Sequence, residues 1–60
     1  MRNPARIDVF CAHLAKLWKS NCPDWRFGQL VTNLMRTKDI FYLEEDEMLD
    51  YIEEYFKENM

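Results

Sequence analysis

Three runs of apolar residues, each repeating at the period of an α-helix and parted by short breaks, leave this chain few ways to fold. In the first run, Ile7, Phe10, Cys11, Leu14, Leu17 and Trp18 make one continuous stripe, which predicts a helix over roughly 5–20. Pro4 suits its first turn, where a missing N–H costs nothing, and Asn3 is positioned to cap it. Ser20, Asn21 and Pro23 end it, because Pro23 has no donor and pushes Cys22 out of the helical region. A second stripe, Phe27, Leu30, Val31, Leu34 and Met35, predicts a helix over roughly 25–36 with Asp24 as its cap. Gly28, the only glycine, falls inside it, where glycine costs about 1 kcal/mol against alanine, so a close approach by another helix is expected there.

Thr37, Lys38 and Asp39 form a connector to the apolar run Ile40, Phe41, Tyr42 and Leu43, which is too short for a period and reads as an extended segment covering the core. Glu44, Glu45, Asp46 and Glu47 then place carboxylates where a helix dipole favours them. The stripe Met48, Leu49, Ile52, Tyr55 and Phe56 carries that third helix over roughly 45–58. Three amphipathic helices on short connections specify an all-α fold, a compact three-helix bundle with a short extended segment at 40–43, in a single domain over 1–60.

The size of the chain bounds what that bundle can do. At 60 residues, it has room for one core. A domain this small buries only about 60% of the surface its unfolded form exposes. A hydrophobic content of 48% is too high for a disordered chain, and 32% charged residues keep it soluble. The longest uncharged apolar stretch, Ile40 to Leu43, is far short of the roughly 20 residues of a membrane helix. The opening residues offer neither a continuous apolar leader nor a small-residue cleavage site, which gives the expectation of a cytoplasmic protein. Of the two cysteines, Cys11 falls on the core-facing stripe and Cys22 in a turn; no disulfide is expected.

Two blocks, Pro23-Asp24-Trp25-Arg26-Phe27-Gly28-Gln29-Leu30 and Phe41-Tyr42-Leu43-Glu44-Glu45-Asp46-Glu47, resemble a family of short helical proteins from bacteria and phages that has no activity attached to it. The likeness spans about residues 6–56. It implies a compact helical domain of bacterial or phage origin, and no catalytic or binding residue.

Little in the sequence suggests chemistry. His13, the only histidine, flanks the first stripe and has no plausible triad. Ser20 is the only serine, and Cys11 and His13 lie two apart on a helix, where side chains diverge. Cys11, His13 and Cys22 offer three metal ligands at best, where a structural zinc site takes four at recognisable spacing. A single glycine is incompatible with glycine-rich phosphate loops. The expectation is a protein that is not an enzyme and needs no cofactor or metal.

Charge is the clearer signal. Residues 1–38 hold seven basic and two acidic residues, a net of +5, while 39–60 hold one basic and nine acidic, a net of −8. The simplest reading is that the third helix packs beside basic neighbours and its outer face is merely solvated. The functional reading is that one face docks a charged partner. If the third helix buries its stripe, Glu47, Asp50, Glu53, Glu54 and Glu58 form an acidic ridge suited to a basic surface, including a nucleic-acid-binding groove on another protein. The chain also has two Trp, three Tyr and four Phe, too many for so small a core to bury. Trp25, Phe41 and Tyr42, at element ends, are the candidate anchors.

The sequence therefore points to a small protein–protein interaction module with an unidentified protein partner. Its candidate binding residues are Trp25, Phe41, Tyr42, Glu47, Asp50, Glu54 and Glu58. One alternative is a nucleic-acid-binding domain in which the first two helices imitate a helix-turn-helix. It would use Arg26, Gln29, Thr32, Asn33 and Arg36, with Arg6, Lys16 and Lys19 adding charge. A pI of about 4.9 and an acidic third helix weigh against it. The other alternative is a self-associating structural protein whose homodimer covers aromatic surface.

Overall fold

The computed structural model describes residues 2–36 and 38–59, apart from the side chain of Asn59. Thr37, in the expected connector, lies outside the described residues. Three helices follow in order: α1 (Ala5–Asn21), α2 (Phe27–Met35) and α3 (Glu45–Asn59). The all-α three-helix bundle is the observed architecture, and no strand occurs among the described residues.

Each helix end has an identifiable cause. Asn3 Oδ1 accepts from the Ala5 N–H at 3.0 Å and the Asn3 carbonyl from Arg6 at 3.2 Å, so the expected cap operates just ahead of Pro4. At the other end Cys22 leaves helical geometry with φ −151° and ψ 62°, its N–H still donating to the Trp18 carbonyl. The helix therefore ends at Asn21, and the residue before the proline is non-helical, as steric exclusion by the Pro23 ring requires. α3 begins with Glu45, Asp46 and Glu47 in its first turn, and Glu47 Oε1 accepts from the Glu44 N–H at 3.2 Å. These carboxylates sit at the positive end of the helix dipole, as expected.

Three local expectations need correcting. Asp24 does not cap α2. The Trp25 N–H donates to the Cys22 carbonyl at 3.1 Å, which makes Pro23 and Asp24 the corners of a turn, and α2 starts later than residue 25. Its cap position is Arg26, in extended geometry with ψ 156°, and its N–H is satisfied by Gln29 Oε1 at 3.1 Å. Gly28 marks no close approach: it is exposed, and a Cβ built there would meet nothing within 4 Å. Residues 40–43 are a turn rather than an extended segment, closed by the Leu43 N–H on the Ile40 carbonyl at 3.2 Å. Ile40 and Leu43, at its base, are half-buried, while Phe41 and Tyr42, at its corners, project outward.

The core comprises Cys22, Leu30, Leu34, Ile52 and Phe56, with Leu14, Leu17, Trp18, Trp25, Met48, Tyr51 and Tyr55 packed around it. The α1 stripe reaches this core only through half-buried side chains, and α1 has no fully buried residue. Cys11, expected to face the core, is exposed, and Cys22, at the turn beside Pro23 as expected, is buried. Both thiols are free. Cys11 lies within α1 and Cys22 at its C-terminal cap, eleven residues on, which separates them by roughly 16 Å, far beyond the span of a disulfide. The Cα radius of gyration, 11.6 Å, exceeds the ~10 Å of an ideally compact chain of this length, so the bundle is slightly elongated.

Candidate interaction surface

The acidic ridge is set by helix geometry. Glu47, Asp50, Glu54 and Glu58 follow at intervals of three and four residues along α3 and so share one face. All four are exposed, on the side of the helix opposite Ile52 and Phe56, and the row runs for roughly 16 Å. Glu53 is exposed on the flank of this row, in a shallow depression with Asp50, Glu54 and Lys57.

At the head of the ridge stands the 40–43 turn. Asp39 Oδ1 accepts from the Phe41 N–H at 3.0 Å, an Asx arrangement that fixes the entry to the turn. Phe41 and Tyr42 occupy its corners, 81% and 82% exposed, their rings edge-on at 4.8 Å between centroids. Since Glu44 is tied to Glu47, the aromatic pair and the first carboxylate of the ridge are held in fixed succession.

Trp25 is elsewhere. Its ring packs 6.4 Å from that of Phe56, and its carbonyl accepts from Trp18 Nε1 at 3.1 Å. Phe56 lies eleven residues beyond the first residue of α3, so Trp25 sits about 16 Å along the helix from the 40–43 turn. The three aromatic candidates therefore do not form one patch. Phe41 and Tyr42 lie in the turn that leads into α3 ahead of the ridge, and Trp25 belongs with the core.

Along α2 and at its two caps, Arg26, Gln29, Thr32 and Arg36 are exposed and Asn33 is half-buried. Gln29 already spends an acceptor on the Arg26 N–H. Lys16, Lys19 and His13 are exposed on α1. Burial raises the Cys22 thiol above its ordinary pKa because desolvation penalises the thiolate. No group of three or more potential metal ligands occurs among the described residues. Nor is any described helix long and apolar enough to cross a membrane.

A further surface feature escapes the periodicity reading. Between the N-terminal halves of α1 and α3 lies a furrow floored by Val9, Phe10 and Leu49 and rimmed by Arg6, Glu44, Glu45 and Asp46. Two ion pairs cross it: Arg2 to Glu44, and Arg6 Nε to Glu45 Oε1 at 2.7 Å. The available signal was Val9 itself, an apolar residue off the α1 stripe, 59% exposed.

Compared with protein-family models, with curated proteins and with solved structures, the chain finds no match.

Proposed function

We propose that this chain is a small non-enzymatic protein–protein interaction module, a cytoplasmic accessory factor of bacterial or phage origin that modulates a larger protein bearing a basic surface. One observation carries the reading: Phe41 and Tyr42, 81% and 82% exposed, sit at the head of a helix whose outward face is the carboxylate row Glu47, Asp50, Glu54 and Glu58. Exposed aromatic pairs supply desolvated anchoring area, and a row of like charge steers and orients a partner of opposite sign. Solvation alone accounts for the carboxylates, but gives no reason to leave two adjacent aromatic rings in water.

The test is capture of partners by the tagged full chain from a bacterial lysate, with and without nuclease. It is repeated with the double variant Glu54→Lys, Glu58→Lys. A specific protein is expected to survive nuclease and to be lost with the charge-reversed variant. Equal capture by both chains would reduce the ridge to a solvated face. Recovery of nucleic acid, or of proteins that nuclease removes, would transfer the function to Arg26, Gln29, Asn33 and Arg36 on α2.

A further inference from the structure

We propose that the furrow between α1 and α3 is a socket for a cationic amphipathic segment of the partner. The segment would lay an apolar side chain on Val9, Phe10 and Leu49 and an arginine or lysine against Glu44, Glu45 and Asp46. The proposal rests on the interaction reading above and specifies where the partner is anchored.

The furrow has the chemistry of such a site. Its floor is apolar, and Val9 lies open at 59% exposure. Phe10 and Glu45 also line an adjoining depression that holds Ile7, Ile40, Leu43 and Met48. The apolar track thus runs on beneath the turn that presents Phe41 and Tyr42. The rim carries three carboxylates against the two guanidinium groups of Arg2 and Arg6, which leaves a net negative charge with Asp46 outside both ion pairs, so its sign favours a cation. A neutral or acidic segment would desolvate Asp46 without pairing it, which is unfavourable.

The chain itself demonstrates what the rim accepts. Arg2 is paired with Glu44 and Arg6 with Glu45, so guanidinium groups already seat on two of the three carboxylates. Asp46 is exposed and has no ion pair among the described residues. With its side chain 60% exposed, Arg2 is held loosely enough for a partner's arginine to displace it. Arg2 is therefore an internal competitor, and removing it frees the site. A merely structural clasp would behave otherwise: its loss would leave binding unchanged or weaken it.

The experiment titrates two synthetic amphipathic helices into the isotope-labelled full chain and follows backbone amide shifts. Both carry the same leucine stripe; arginines flank it in one, glutamates in the other. The arginine peptide is expected to shift amides of residues 6–10 and 44–49 and to bind about tenfold tighter than the glutamate peptide. Val9→Lys, at an exposed position, should weaken it about tenfold. Arg2→Ala should tighten it by about two- to fivefold, whereas Arg36→Ala, an equal change of net charge on α2, should leave it unchanged. Equal binding of the two peptides, or equal effects of Arg2→Ala and Arg36→Ala, overturns the proposal. If the arginine peptide binds only along residues 50–58 and is lost with Glu54→Lys, Glu58→Lys, the socket falls and the interaction reading stands. If neither peptide binds, the socket falls and lysate capture alone decides the interaction reading.

Discussion

In the C-terminal half of α3, Ile52 and Phe56 are 1% and 5% exposed beneath Leu30, Leu34, Cys22 and the two tryptophans, whereas in the turn that leads into the same helix Phe41 and Tyr42 are 81% and 82% exposed. The residue types are alike, so hydrophobicity does not explain the difference; reach does. α2 has nine residues and spans about 13 Å, while α3 has fifteen and spans about 22 Å. α2 meets α3 at Tyr51, whose hydroxyl donates to the Leu34 carbonyl at 2.6 Å, and it buries what lies beyond, leaving the head of α3 to the N-terminal half of α1. One end of the bundle secures the fold, and the other is left apolar, charged and open. A domain this small has little stability to spare. Keeping the proposed recognition surface away from the few buried side chains would let it vary without loss of the fold.

The sharpest way to break this contrast is Ile52→Ala. Removing a fully buried side chain of this size costs roughly 2–5 kcal/mol, comparable with the whole stability of so small a domain. Urea unfolding followed by circular dichroism should show the cooperative transition lost or displaced to very low denaturant. Retention of near-native stability would mean that the core lies elsewhere.

The thiols sharpen it in a second way. Cys11 should react with a disulfide reagent in the native state at the rate of an open thiol, and Cys22 only as fast as the chain opens. Burial holds the Cys22 proton more tightly in the folded than in the unfolded chain. The native advantage is thus fully present below the unfolded thiol's pKa, about 8.5, and is lost as pH rises through the folded one. A Cys22→Ala chain should lack that alkaline loss, and a fall of the same size in both chains would exclude the thiol as its source.

Smaller effects follow at exposed positions. Gly28→Ala should stabilise by up to about 1 kcal/mol, because the site is helical, has no positive φ and has open space around it. A destabilised variant would expose a contact at α2 that the geometry lacks. Phe41→Ser with Tyr42→Ser should change stability by less than about 0.5 kcal/mol, the usual range for surface sites. A large loss on thermal melting would show these rings to be structural.

Much of this fold was legible in the sequence, because amphipathic period is a strong signal for long helices. α1 and α3 lie within a residue or so of the spans their stripes predict. The misreadings share a physical origin, in that a stripe states which face is apolar but not how far a neighbour covers it. Ile7 and Cys11 lie on the α1 stripe yet are exposed. Asp24 was ambiguous in kind, since an aspartate after proline serves equally as a turn corner and as a cap, and only the Trp25 to Cys22 hydrogen bond distinguishes them. The ridge was readable from spacing alone. The furrow was not, because it depends on Arg2 and Arg6 meeting Glu44 and Glu45 across about forty residues of chain.

The proposed recognition surface is the open end of the bundle together with the carboxylate row of α3. It is tested most directly by titrating the captured partner into the isotope-labelled chain and mapping the amides that move. Perturbation is expected at 6–10, 41–50, 54 and 58, with Leu30 and Leu34 unmoved. Perturbation concentrated at Arg26, Gln29, Asn33 and Arg36 would contradict it.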